Sequence, residues 1–388
     1  MKESSTKHIY ILSACDRFNY GDLLFPIVAK HEIAKLGEYH FHNVATVKSN
    51  LKECGALPTL GYKSLFDYKN IPDNSTLLIA GGQVLNANWS RLISFLKPIY
   101  HDIFEKYSGA KLEKITKLIW GNGALSFPFM PSNKHLLNHF KLAYHAVGGG
   151  VPRQVELRNE VAPSIKQAKY VSVRETDTQR VIKNNFGVTA TLVPDSVMVL
   201  SDLYPKSSLS REGLPEKYAC VQFGFFKSKG KHQMILNQLT RIHKEHGLTI
   251  GLLSIGQCPG HDDVKMVEWI KENANFPVCV LPCDTIDEIT CALAHAKIYI
   301  GTSLHGVIVS MSYGNPFVSV NKLVKKVDTY TKTWAPDYLK GSVIFLEMAN
   351  TVSKRLEAHI DYSTLVDEQK RLVRQSFQRI HQVAQLEK

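Results

Sequence analysis

The chain has 388 residues, 44% apolar and 21% charged, an ordinary balance for a folded globular protein and more chain than one hydrophobic core usually supports, so two domains are expected. No window nears the roughly 18 consecutive apolar residues of a membrane span, and the apolar run at residues 9–12 is too short for a signal-peptide core, which predicts a soluble cytoplasmic protein. The net charge of +12 is spread along the chain without zinc-finger spacing, an RNP-type motif or a long lysine run, which argues against nucleic acid and for small anionic ligands.

In chain order, short apolar runs alternate with helical patterns, the signature of βαβ units and a parallel sheet. Residues 8–12 read as a first strand, followed by a polar loop over 13–21. Asp22 is placed to cap a helix over 23–36, with Pro26 in its first turn and Gly37 at its end. Further strands are expected at 76–80, 117–120, 143–147 and 170–173, completing one doubly wound domain. The segment 201–215 is polar, carries two prolines and lacks periodicity, and reads as a linker. A second, smaller doubly wound domain follows, with strands at 218–223, 248–254, 278–281, 298–300 and 317–320. Residues 364–386 place Leu365, Leu372, Val373, Phe377, Ile380 and Ala384 on one helical face. The resulting division is 1–205, 206–350, and a helical segment 351–388 that packs back on the domains. Two such domains enclose a cleft at the carboxyl ends of their strands.

The segment with the clearest chemistry is residues 297–315. A strand ends in Gly301-Thr302-Ser303 and passes straight into an apolar helix at His305. A helix start offers free N–H groups and positive potential to an anion, the hydroxyls of Thr302 and Ser303 add donors, and a histidine of ordinary pKa near 6.5 moves protons near neutrality. Gly81-Gly82 and Gly148-Gly149-Gly150, the latter leading to Pro152 and Arg153, follow strands and let a ligand approach the backbone, or merely turn the chain. Gly121-Asn122-Gly123-Ala124 is too incomplete for a dinucleotide fingerprint. Arg174 ends a strand beside Glu175, and its guanidinium can fork onto a ligand anion or pair with that neighbour. Lys227, Lys229 and Lys231 follow the strand at 218–223, with solvation the expected fate of at least two. The seven scattered cysteines suggest reduced thiols. Cys258, His261, Asp262 and Asp263, with Cys279 and Cys283 downstream, lack the tight ligand pairs of a zinc site, so no metal is expected.

Together, Asn19-Tyr20-Gly21-Asp22, Gly81-Gly82, Val173-Arg174-Glu175, Val193-Pro194-Asp195-Ser196 and Thr302-Ser303-Leu304-His305-Gly306 resemble, in order and spacing, the polysaccharide pyruvyltransferase family over roughly residues 10–330. The resemblance implies an α/β fold of two Rossmann-like domains in a GT-B-like arrangement, the first on the acceptor side and the second on the donor side. It implies transfer of a pyruvyl group from phosphoenolpyruvate, as co-substrate and without other cofactor, to hydroxyls of a sugar, oligosaccharide or lipid-linked precursor of a surface polysaccharide or exopolysaccharide, with peripheral contact at the inner membrane face. His305 is then the catalytic acid/base. Arg174, Ser303, Thr302, Lys227, Lys326, Asn19, Asp22, Gly81, Gly82 and Asp195 are the substrate-binding set, with acceptor contacts expected around residues 17–22 and 83–89. Many family members carry arginine two positions before the histidine, where Ser303 stands here, so Arg174, Lys227 or Lys326 is expected to hold the donor's anion. A nucleotide-sugar glycosyltransferase remains as an alternative because fold alone does not choose chemistry, and the Ser303 departure keeps open a non-catalytic member that binds polysaccharide or phosphoenolpyruvate without turnover.

Overall fold

The structure, a computed structural model, describes residues 6–107, 109–121 and 125–387. Two all-parallel sheets organise it. The first carries β1 (Lys7–Leu12), β2 (Tyr39–Ala45), β3 (Leu60–Gly61), β4 (Thr76–Ala80), β5 (Lys141–Val147), β6 (Tyr170–Val173) and β7 (Thr191–Leu192), in the order β3-β2-β1-β4-β5-β6-β7. The second carries β8 (Tyr218–Gln222), β9 (Thr249–Leu252), β10 (Val278–Val280), β11 (Ile298–Gly301) and β12 (Phe317–Ser319), in the order β10-β9-β8-β11-β12. Each order reverses beside its first strand, between β1 and β4 and between β8 and β11, so each sheet has a crevice at its carboxyl edge.

Strand residues alternate between two cores, as a period of two requires. In β1, Ile9 and Ile11 join the core shared by both sheets, while Tyr10 and Leu12 face the outer core of the first. In β8, Tyr218 and Cys220 face the shared core, and Ala219 and Val221 the outer core of the second sheet. The helices are α1 (Tyr20–Ala34), α2 (Trp89–Ser94), α3 (Pro98–Tyr107), α4 (Ala110–Trp120), α5 (Lys134–His139), α6 (Val155–Gln167), α7 (Thr176–Phe186), α8 (Leu200–Leu203), α9 (His232–His246), α10 (Asp263–Asn273), α11 (Ile286–Ala294), α12 (Leu304–Ser312), α13 (Lys325–Trp334), α14 (Met348–Glu357) and α15 (Ser363–Gln385).

Three local expectations are corrected. Residues 117–120 are the end of α4 and not a strand: Leu118 and Ile119 point to solvent, so the apolar run has no core to join. The first helix begins at Tyr20 with Asn19 at its cap position, and Asp22 sits inside the first turn, taking the Asn19 side-chain amide at 2.7 Å. Pro26 therefore lies in the helix interior, where it removes the N–H that would bond the Asp22 carbonyl. In α15, Val366 is buried where Leu365 and Leu372 were expected to be, and both leucines are only half-buried. Asn122–Ala124 lie outside the described residues.

Two helices near the carboxyl end pack on different sheets. α14, which straddles position 350, lies on α9 and β12, whereas α15 crosses to the first sheet, where Ser376 Oγ meets His145 Nδ1 at 2.9 Å and the Phe377 ring lies tilted against the same imidazole at 4.1 Å. Segment 201–215 opens with α8, which Ser201 ties to the Ser312 carbonyl on α12 at 2.8 Å.

Candidate active site

The carboxyl edges of the two sheets face each other across a cleft of about 410 Å³. Asn19 and Asp22 enter it after β1, Gly82 after β4, Arg174 after β6, Gln222 at the end of β8, Ser303 and His305 after β11, and Lys326 after β12. Two backbone links join the halves at its floor: Tyr20 N–H donates to the Ile255 carbonyl at 3.3 Å, and Gln257 N–H to the Phe18 carbonyl at 3.3 Å.

His305 stands at the start of α12. Ser303 caps that helix, its Oγ accepting the Gly306 N–H at 3.4 Å. Gly306 is required because the Tyr299 ring lies beneath it: a Cβ there would come within 2.3 Å of the ring. Across the cleft, the His305 ring rests on Gly21, where a Cβ would fall 1.8 Å from Nδ1. Phe25 meets the same ring edge-on at 5.5 Å, and the close packing of Phe25 on Gly81, whose φ is +96°, keeps it there. Nε2 has no hydrogen-bond partner among the described residues and lies 4.0 Å from Asp195 Oδ2. Burial, then the charges of Arg174 and Lys326, hold the imidazole well below its usual pKa. This corrects the expectation of an ordinary value near 6.5, and the resting ring is uncharged near neutrality.

Arg174 is 1% exposed and pairs with Asp195 at 2.7 Å, not with its neighbour Glu175. Glu175 instead accepts the Gly149 N–H at 3.3 Å and the Thr178 hydroxyl at 3.0 Å, so the triple-glycine turn serves this pair. Burial alone would lower the Arg174 pKa, and the carboxylates of Asp195 and Glu175 outweigh it and raise the value. Its Nε keeps no partner among the described residues. Asp195 lies behind the cleft wall, where it holds Arg174 and faces His305, so it is a positioning group. Thr302 also misses the cleft: it is fully buried, its hydroxyl accepts the Gly224 N–H at 3.3 Å, and its own N–H donates to Gln222 Oε1 at 3.2 Å. Gly81 serves Phe25 and does not line the cleft, whereas Gly82 lines it beside Asp22.

Lys227 and Lys326 are cations left open to a ligand. Neither Lys227 nor Lys326 has an ion-pair partner among the described residues, and Lys326 is lowered to about 8 by burial, then by Lys227 and Arg174. Lys229, Lys231 and Arg153 are exposed and stand outside the cleft. Asp22 is pushed up to about 6 because burial outweighs the pull of Arg17, Lys326 and Arg174.

Several lining residues escaped the sequence reading. Arg91 lies over the rings of Phe95 and Phe104, 4.6 and 5.4 Å from their centroids, and His261 meets Phe95 at 5.7 Å. Burial, then Lys326 and Lys227, lower His261 to about 3. Asp263 accepts the N–H groups of Ile255 and Gly256 at 3.1 and 2.9 Å, and burial pushes its carboxyl up. These residues sit in loops and short helices without periodic pattern, and the one signal was the Cys258–Asp263 cluster. Among the described residues no three His, Cys, Asp or Glu side chains converge as a metal ion would need. Of the expected acceptor stretch 17–22, Arg17 is bound to Asp16 at 2.5 Å and spent on structure, while Gln83 and Asn86 of 83–89 line the cleft.

A sequence model of polysaccharide pyruvyl transferases matches residues 19–321, from the cap of α1 to just beyond β12. The chain belongs to the polysaccharide pyruvyl transferase family. In this pyruvyl transferase, the matched span holds every cleft residue named above except Arg17 and Lys326. No curated protein matches the chain in a sequence comparison. Among solved structures, the UDP-GlcNAc 2-epimerase from Methanocaldococcus jannaschii in complex with UDP-GlcNAc and UDP is similar, with a TM-score of 0.54 at 11% identity over 95% of this chain and 98% of that one. The UDP-N-acetylglucosamine 2-epimerase from Rickettsia bellii gives 0.52 at 13% identity over 97% and 95%. The likeness is one of fold, and it agrees with two Rossmann-like domains in the GT-B-like arrangement.

Proposed function

We propose that this pyruvyl transferase moves the pyruvyl group of phosphoenolpyruvate, in the cytoplasm, onto two hydroxyls of one sugar in a surface polysaccharide or its lipid-linked precursor, forming a cyclic ketal and inorganic phosphate. Residues 1–205 would form the acceptor side and 206–350 the donor side. The observation that carries the reading is the meeting of a neutral histidine with unpaired cations at facing strand ends: Lys227, Lys326 and the free Nε edge of Arg174 suit a ligand bearing both a carboxylate and a phosphate.

The chemistry follows from the protonation states. His305 takes the proton of the first hydroxyl as its oxygen bonds C2 and the C2–C3 double bond opens. Asp22, which keeps its proton up to about pH 6 and higher beside a bound trianion, delivers a proton to C3. The C2–O bond to phosphate then breaks with its electron pair, His305 returning its proton to the leaving group. The second hydroxyl bonds C2 and gives its proton to Asp22, restoring both groups. Lys227, Lys326 and the N-terminus of α12 stabilise the departing phosphate.

The test is to incubate the protein with phosphoenolpyruvate and candidate oligosaccharides, measuring phosphate and weighing the acceptor. The expected result is phosphate release matched by a pyruvyl ketal's mass gain, with His305→Ala lowering kcat about a hundredfold or more. Turnover of a nucleotide sugar with phosphoenolpyruvate untouched, or an unimpaired His305→Ala, would overturn the proposal.

A further inference from the structure

We infer that the face around the cleft mouth docks on an anionic lipid bilayer. Two patches that the proposed chemistry does not use, one on α3 and α4 of the first half and one on the loops after β8 and β12 of the second, each combine exposed apolar side chains with lysines. On the first half, α4 carries Ile115, Leu118 and Ile119 outward, Leu118 being 82% exposed. Lys111, Lys114 and Lys117 recur every third residue along the same helix, the pattern of a basic amphipathic surface helix. The one acid of α4, Glu113, is turned away to accept the Trp89 and Ser90 N–H groups at 3.0 and 2.9 Å, so it does not cancel that charge. Tyr100 of α3 meets Trp120 of α4 edge-on at 5.9 Å, and Ile99, Ile103 and Tyr107 of α3 are exposed beside it, with Asp102 and Glu105 between them.

On the second half, Phe226 and Leu323 stand at the tips of the loops after β8 and β12, Leu323 at 87% exposure. Lys229, Lys231, Lys322 and Lys325 surround them. The Asn321 amide donates to the Lys227 carbonyl at 2.8 Å and joins the two loops. Contacts at the cleft rim link the elements that carry the patches: His101 of α3 packs on Gly260, Asp262 accepts the Phe226 N–H at 2.5 Å, and Lys265 lies 5.4 Å over the Phe226 ring.

The chemistry of the face selects the occupant. A second copy would set lysines against lysines. A soluble polyanion would leave the aliphatic tips in water. A bilayer with anionic headgroups takes both, each lysine near such a surface being worth about fivefold in partitioning. No helix among the described residues is long and apolar enough to cross a membrane, so the contact is interfacial. It would bring the cleft mouth to the surface where a lipid-borne acceptor lies, yet it stands on the patches alone and holds whatever the cleft turns over.

The test is flotation of the full-length protein with vesicles of phosphatidylcholine alone and of phosphatidylcholine mixed with phosphatidylglycerol. Binding is expected to the anionic vesicles, to weaken as salt is raised, and to fall at least about tenfold in a Leu118→Glu/Leu323→Glu variant whose thermal unfolding is unchanged. Equal binding to neutral vesicles, no binding to either, full binding by the variant, or self-association abolished by the same substitutions would each overturn it.

Discussion

If His305 is the base of the proposed chemistry, replacing Gly21 by alanine should disable it while leaving the protein folded. The new Cβ would fall 1.8 Å from Nδ1, and ordinary contact begins at 3.4 Å, so the ring must retreat by about 1.6 Å. It has somewhere to go: its side chain is 12% exposed on the cleft side and Nε2 has no partner among the described residues to lose. The backbone at position 21 is helical, where alanine is favoured over glycine by up to about 1 kcal/mol, offsetting part of the strain. A displacement near 1 Å costs about a hundredfold in a positioned reaction, so kcat should fall by that factor or more. KM for phosphoenolpyruvate should hold, because Lys227 and Lys326 are untouched. The assay is steady-state phosphate release beside thermal unfolding. Gly306→Ala is the contrast: it drives a Cβ into the fully buried Tyr299 ring and should cost about 1–3 kcal/mol of stability. Wild-type kcat in Gly21→Ala, or a loss that merely tracks unfolding, would refute the account of His305's seat.

Asp195→Ala strands the buried Arg174 guanidinium and should destabilise the protein by about 3–5 kcal/mol in denaturant titration. Lys326→Ala should raise KM for phosphoenolpyruvate about tenfold or more at pH 7. That penalty should shrink above about pH 8, where the native lysine loses its charge. Burial lowers His145 to about 3, so the unfolded chain takes up a proton below about pH 6.5 that the folded state refuses, and stability falls with acidification. Replacing His145 by glutamine should remove this contribution and flatten the stability–pH slope by about 1.4 kcal/mol per unit between roughly pH 6 and 4. Denaturant midpoints over that range check it.

The strands that position the site were legible because they are buried on both faces and bounded by glycine or polar turns: β4 is apolar after Thr76, β11 is apolar up to Gly301, and only Ser172 interrupts β6. β2, Tyr39–Ala45, was missed because its histidines and half-buried residues break the apolar pattern. Residues 117–120 deceived for the opposite reason, as an apolar run that faces solvent reads like a strand when the helix around it has almost no buried face. At the site, Gly82, Arg174 and Ser303 follow a strand end closely and could be found, His305 was marked by the strand passing straight into a helix, and Asn19, Asp22 and Lys326 were reached through the family resemblance. Arg91, Phe95 and His261 could not, since three-dimensional packing alone brings α2 against the loop before α10. Thr302 shows the converse error, because a hydroxyl at the right strand end can still be consumed inside the protein by Gly224 and Gln222.

The His305 ring belongs to the second sheet and the glycine beneath it to the first, so neither half holds the ring in place alone. Separation of the halves and loss of the proton acceptor's alignment are one event. Under the proposed chemistry, a cleft opened to admit an acceptor would hold a misaligned base, and water entering it would meet no armed proton acceptor.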